Sequence, residues 1–376
     1  MRQLLSKFRL RLINYESVLP YSLLGVAGGA ASGLMVLAFE LAIRELSLLW
    51  GGGGDGFDGL PTWALFCLPV AGAAILGGVY TLLAPADRET GIVHVLSRMH
   101  SHYSVLPLRN AVLQFVGGAF SLATGQSGGR EGPGVHLGGA INSLLGQWLG
   151  LPNNSLRMLI ACGTAGGIAA AFHTPLAAVL FTMEVIIAEY TVASFIPVIL
   201  AAVSASAVSY GLSTGGWLFD LPALQLNSLL ELPYIILLGL SCGVAVALFI
   251  RIASLCTSLS NYPVALRFTA AGIITGSLAM FAPDILGVGD DTLALALHGE
   301  LAVSAMLAIA LCKLLATACS SGVGMPVGVI GPSLLIGACL GGVLGEVGVA
   351  LQPALASDPR LYVVIGMGAA MGAILN

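Results

Sequence analysis

Charge is what this chain has least of. Charged residues make up 9% of its 376 positions, against roughly 25% in soluble domains, which need them to stay wetted. With 57% apolar residues and a mean hydropathy of +0.97, a water-soluble, disordered or fibrous protein is excluded. The 14 basic and 18 acidic residues leave a net charge of -4. No Lys/Arg face is available to neutralise phosphates, so nucleic acid is excluded as a partner. The seven cysteines are odd in number, contain no C-x-x-C pair and nearly all lie in apolar runs, so they read as reduced packing residues. Neither a Cys cluster nor His-Glu-x-x-His is present, so no metal and no cofactor is expected. The segment from Met1 to Glu16 has no signal-cleavage pattern, and its Arg2, Lys7, Arg9 and Arg11 place it in the cytoplasm by the positive-inside rule.

Apolar sequence, by contrast, is abundant. Stretches fall at 18–48, 62–84, 106–124, 134–150, 156–172, 175–190, 192–212, 230–255, 263–283, 301–319, 330–351 and 360–376. At about 20 residues per crossing, the length allows about ten to thirteen membrane segments. Several stretches are too short for a full crossing, and several are broken by Gly-Pro. Such tilted or broken helices are tolerated where irregular backbone lines protein or a water-filled space. The breaks at Gly51–Asp58 and Pro283–Asp291 read as loops, as does the polar stretch with His94, Arg98, His100 and His102, which reads as solvated. Fifty glycines without a G-X-Y period exclude collagen and point to close helix packing or to backbone exposed to a ligand.

Self-comparison shows two related halves. Gly129-Arg-Glu-Gly-Pro-Gly-Val-His-Leu-Gly138 and Gly328-Val-Ile-Gly-Pro-Ser-Leu-Leu-Ile-Gly337 share three glycines and a proline at one spacing. A second echo pairs 159–172 with 362–375. The expected organisation is a cytoplasmic segment 1–17, a first membrane repeat 18–212, a linker 213–229 and a second repeat 230–376. The second repeat stops opposite His173, so its last two or three helices are expected to be missing.

The chemistry concentrates in Gly125-Gln-Ser-Gly-Gly-Arg-Glu-Gly-Pro133. Pro133 suits the first turn of a helix, whose unpartnered N–H groups and dipole favour an anion. Gly328-Val-Ile-Gly-Pro332 supplies a second such start. Two halves meeting at mid-membrane would aim backbone donors at one desolvated anion without a full positive charge to trap it. Glu131 is the acidic exception. Its carboxylate can occupy an anion position and swing away when protonated, as a gate or proton carrier, or it can simply pair with Arg130. The cost of burying a merely structural pair favours function.

These residues resemble the CLC family of chloride channels and chloride/proton antiporters. Gly129-Arg-Glu-Gly-Pro133 is similar to that family's signature, Pro175-Leu-Ala-Ala to its Pro-Leu-Ala-Gly helix start, and Gly328-Val-Ile-Gly-Pro332 to its G-x-F-x-P motif. The resemblance implies an all-α polytopic membrane protein with two inverted repeats, the second truncated at its C-terminal end. It also implies a homodimer with one pore per subunit, transporting chloride either passively or in exchange for protons, in a bacterial inner membrane. Glu131 is then the gating glutamate, and Val329 and Ile330 donate backbone N–H groups to the central anion. Thr90, in Glu89-Thr-Gly-Ile-Val93 where the family has Gly-Ser-Gly-Ile-Pro, supplies a hydroxyl. Gly129, Arg130 and Gly132 complete the expected anion-binding set. On the inner side Val185 stands where family antiporters place a proton glutamate, and its neighbour Glu184 is either a substitute relay or a helix-end residue bonded to backbone. The chain is therefore read as a channel or an antiporter.

The rival class is an intramembrane serine protease. Gly125-Gln-Ser127-Gly-Gly129 fits a rhomboid-like G-x-S-G pattern, with His173 as the sole obvious base. Such short patterns arise by chance among fifty glycines, and the two-half organisation has no use in that enzyme.

Overall fold

A computed structural model describes residues 18–50, 57, 59–188, 190–212, 224–353 and 356–375. The expected N-terminal segment and most of the expected linker lie outside these residues. The fold is all-α, with fourteen α-helices among the described residues: α1 Val18–Leu48, α2 Thr62–Thr81, α3 Gly91–Ser101, α4 Leu108–Ala123, α5 Glu131–Trp148, α6 Asn153–Phe172, α7 Pro175–Phe181, α8 Val192–Leu212, α9 Leu232–Thr257, α10 Val264–Ala279, α11 Asp290–His298, α12 Val303–Gly322, α13 Ile330–Leu351 and α14 Pro359–Leu375. Among the described residues, seven helical spans are long and apolar enough to cross a membrane. The chain is an integral membrane protein.

Every apolar stretch read from the sequence became a helix. Two further helices were missed. The loop read around His94 is helix α3, in which His94 is buried, and the break at 283–291 runs into the short helix α11. Both are short and mix polar with apolar residues, so neither shows as a hydrophobic run.

Packing divides the chain into two compact units that do not coincide with the repeat halves. The first unit comprises the described residues of Met1–Ala42, Ala84–Ala119 and Arg130–Gly216. At its centre is α6, whose glycine and alanine run Gly163–Ala171 is wholly buried. On α1, Gly25, Gly29 and Gly33 lie one turn apart against the backbone of Pro197, Ala201 and Ala205 on α8. Small residues on both faces let the two backbones meet, which is how helices associate where no hydrophobic effect pushes them together.

The second unit comprises the described residues of Ile43–Leu83, Phe120–Gly129 and Trp217–Asn376. Helix α10 packs along α2, and α13 lies along both α12 and α14. Ahead of α14, Asp358 accepts bonds from the backbone N–H and the guanidinium of Arg360, which hold its carboxyl below the usual carboxylate range.

Within each unit the same helix pair is built. In the first, Gly138 on α5 and Gly163 on α6 face each other so closely that a Cβ on either would land on the other's carbonyl oxygen. In the second, Gly337 on α13 and Gly366 on α14 do the same. These pairs are the two sequence echoes: 138 and 337 differ by 199, 163 and 366 by 203, and the extra residues fall between the two glycines, where α13 has 22 residues against 18 in α5.

Exchanging either glycine for valine must push two backbones apart. We expect Gly163→Val and Gly366→Val each to destabilise the protein by at least ~2 kcal/mol. Gly368→Ala, on α14 with open space where its Cβ would sit, is the control and should be neutral or slightly stabilising. Thermal unfolding in detergent checks all three.

Candidate functional site: two bonded loops and the helices they launch

The loops ahead of α5 and α13 are one structure made twice. Thr124 and Val323 donate to Phe120 O and Cys319 O, Gly125 and Gly324 to Leu122 O and Ser321 O, and Gln126 and Met325 to Ser121 O and Ser320 O. Each pair is offset by 199. Gly125 and Gly324 take left-handed backbone at φ 83° and 91°, which explains glycine at both positions. The loops then bond to each other, since Gly129 N–H donates to Gly328 O and Gly328 N–H to Gly129 O, each at 2.8 Å. This is an antiparallel bridge, the relation that inverted copies have where they meet.

Beyond the bridge each chain turns into a helix. Helix α5 starts at Glu131 and α13 at Ile330, and their first intrahelical bonds are Gly134 N–H to Arg130 O and Ser333 N–H to Val329 O. Pro133 and Pro332 therefore occupy the third helical position, two residues later than the start read from the sequence. Both still fall in the first turn, where a missing N–H costs nothing. At any helix start the first N–H groups lack an acceptor one turn back. Partial positive charge collects at such helix ends.

The expected site residues divide by what they touch. Glu131 is buried, with 3% of its surface exposed, at the first position of α5. Arg130 Nε lies 3.4 Å from the Glu40 carboxylate on α1, so an ion pair the sequence did not reveal meets its charge. The Gly129 amide is used in the bridge and is not offered to an anion, which corrects its expected role. Thr90 caps α3 with extended backbone and makes no side-chain bond to that helix. Next to it Gly91 N–H donates to Gln114 at 2.8 Å, and Asn110 donates to the carbonyls of Ala86 and Glu89, holding the turn that presents Thr90. Val329 is half-buried and Ile330 buried. Glu184 is exposed in a π-helical turn, Thr182–Ile187, and is not the partly buried helix-end residue expected; its neighbour Val185 is half-buried.

Ser127 is buried, and its hydroxyl shares a 2.8 Å hydrogen bond with the Thr317 hydroxyl. A threonine is no base, so this arrangement does not activate a nucleophile, and the protease reading is set aside.

Sequence reasoning missed the residues that hold the first loop. Helix α12 presents Lys313, Thr317 and Ser320 at i, i+4 and i+7, all fully buried. Thr317 bonds Ser127, and Ser320 donates to Gln126, whose amide donates to Pro69 O. Lys313 Nζ donates to the carbonyls of Ile285, Gly287 and Val288 at 2.9, 2.9 and 3.2 Å. Gly287 O in turn accepts from Gly128 N–H. The signal was a single lysine in an otherwise uncharged apolar helix, which is costly enough to mark a function or a brace.

A polytopic all-α membrane protein with inverted, loop-bridged repeats is the class these features define. The family model described as voltage gated chloride channel matches residues 72–376, and the chain belongs to that family. A Ralstonia nicotianae protein named as a ClcB-like chloride channel protein is 31% identical, over 93% of this chain and 85% of its own length. The H(+)/Cl(-) exchange transporter ClcA of Vibrio campbellii is 30% identical, over 93% of this chain and 77% of its own. Among solved structures, a slow cyanobacterial Cl-/H+ antiporter superposes with a TM-score of 0.80 at 23% identity, covering 94% of this chain and 85% of that one. A CLC-type fluoride/proton antiporter gives 0.77 at 23% identity, covering 96% and 87%.

The Lys313 brace is directly testable. Lys313→Met keeps the volume but strands three buried carbonyls, and we expect a loss of about 3 kcal/mol in stability. Thermal unfolding in detergent reads it, and Leu311→Met, at an exposed position on the same helix, is the control.

Proposed function

We propose that this protein moves chloride across the membrane in exchange for protons, with Glu131 as both gate and proton carrier. The observation that carries the reading is the place of Glu131: a buried carboxylate at the first position of a helix, two residues after Gly129, whose bridge to Gly328 joins the two repeat copies. The names of the Vibrio and Ralstonia relatives support chloride as the cargo.

The chemistry follows from one competition. The N-terminal amides of α5 favour negative charge. An ionised Glu131 supplies that charge itself and occupies the place an anion would take. Protonation removes the charge, the side chain leaves, and an anion enters in its stead. Proton and anion therefore use the same position in alternation, which is what exchange requires. The family resemblance assigns the Gly132 amide, the Val329 and Ile330 amides and the Thr90 hydroxyl as donors to an anion. Each is a dipole and not a full charge, so the anion is bound without being trapped. Arg130 and Gly129 support the loop through Glu40 and Gly328. On the same reading Glu184, exposed beside Val185, exchanges protons with water and is not itself the buried link to Glu131. The working form is a homodimer with one path per chain, in a bacterial inner membrane with the N-terminus in the cytoplasm.

The reversal potential of reconstituted protein under combined chloride and pH gradients tests the reading. An exchanger responds to both gradients, whereas a passive channel follows chloride alone and would overturn the proton half. Glu131→Gln, which mimics the protonated gate, should abolish chloride-driven proton uptake while chloride flux continues. Proton uptake that persists in this variant removes Glu131 from the role.

A further inference from the structure

An exchanger needs a way to bring protons to Glu131, and the inner position where a carboxylate would do so holds Val185. The first unit contains a buried pair of titratable groups that the site described above does not use. His94 on α3 and His136 on α5 are 2% and 0% exposed, with His94 Nδ1 2.8 Å from His136 Nε2. His136 shares its helix with Glu131 and lies five residues further on, about 7.5 Å along the axis and about 140° round it, so the two side chains do not face each other and a proton between them has to travel through water.

The hydrogen bonds fix the tautomers. Arg98 Nε, which can act solely as a donor, gives a bond to His94 Nε2 at 3.2 Å. A neutral His94 therefore carries its hydrogen on Nδ1 and donates it to His136 Nε2. His136 then carries its own hydrogen on Nδ1, a buried atom with no hydrogen-bond partner in the protein. A buried donor left without a protein acceptor costs about 1–3 kcal/mol. Here it is the inner end of a two-ring chain whose outer end is His94 Nε2, 3.8 Å from the Glu89 carboxylate, a side chain 58% exposed. The charged and titratable groups around the pair are Arg98 and Glu89, with His102 beyond the end of α3. Helix α6, packed along another face of α5, presents the glycines 163 and 167 there.

We infer that His94 and His136 form the proton-conducting link of this protein, passing protons between the Glu89 surface and Glu131. The inference rests on the proton coupling proposed above. In the inward direction Arg98 swings off His94 Nε2, which accepts a proton from Glu89. His94 gives its Nδ1 proton to His136 Nε2, and His136 releases its Nδ1 proton through water to the Glu131 carboxylate. Each ring gains one proton and loses one, so no charge stays on the pair, and rotation of the two rings restores the starting tautomers.

The test uses full-length protein in liposomes, with chloride efflux and chloride-driven proton uptake measured together for wild type, His136→Gln and His94→Gln. Glutamine keeps a donor and an acceptor but cannot relay a proton. Proton uptake should fall by at least ~10-fold in each variant while chloride efflux stays within about twofold. Wild-type proton-to-chloride ratios in both variants would overturn the inference and leave the proposed exchange standing. A proportional loss of both fluxes would also overturn it, by assigning the pair to packing or to anion binding. Should His136→Gln fail to fold, His94→Gln decides alone. Absence of proton uptake in the wild type would sink the exchange reading and the inference together, and is told apart because no variant is needed to see it.

Discussion

Hydrocarbon offers no partner to a backbone N–H or C=O, so each one at membrane depth has to be satisfied by the protein itself. Most of this chain meets that demand in the ordinary way, with helices that close their own hydrogen bonds. The two glycine-rich loops do not, and the rest of the site follows from how they are satisfied. At positions 129 and 328 each loop uses the other as its partner, through two reciprocal bonds of 2.8 Å. That solution requires two strands of backbone running antiparallel. It leaves the next residues in each copy, 130–132 and 329–331, at the opening of a helix, where partial positive charge collects.

The same demand explains the buried polar face of α12. Residues 285–288 approach the first loop as irregular backbone, and their carbonyls are met by Lys313. A lysine buried with three carbonyls is expensive to desolvate, yet its three donors match the three acceptors of the turn in a way no apolar side chain can. Lys313, Thr317 and Ser320 thus form a scaffold beneath the first loop, reaching it through Gly287, Ser127 and Gln126. A loop held from several sides keeps its backbone geometry while an ion comes and goes.

Much of this was readable in the sequence, because its main signals are the ones the bilayer enforces. Long apolar runs became α1, α2, α8, α9, α12 and α13 with ends shifted by a few residues at most, and the spacing of 199 between Gly129 and Gly328 foretold both helix starts. Glu131 stood out because carboxylates are scarce there. What escaped was local and polar. Helix α3 was taken for a solvated loop because its histidines and arginine mask an apolar face that carries His94, Val95 and Met99 inward. The Arg130–Glu40 pair joins residues ninety positions apart, with no spacing to betray it. The interleaving of the compact units was equally hidden, since a repeat in sequence records ancestry, and packing need not respect it.

The two copies have kept one backbone and parted in chemistry. With the offset of 199, Gly129, Gly132 and Pro133 meet their equals in Gly328, Gly331 and Pro332, whereas Arg130, Glu131 and His136 meet Val329, Ile330 and Leu335. Every residue in the first list is there for main-chain geometry, and every residue in the second is free to differ without disturbing it. A carboxylate at each helix start would set an acidic competitor against an anion in both copies. Replacing one of them by isoleucine leaves the helix start and its amides intact and removes the charge. The ionisable groups that would handle protons therefore sit in one copy, and the other contributes backbone alone. Duplication supplies the bridge and the paired helix starts. Divergence leaves a carboxylate at this position in one copy alone.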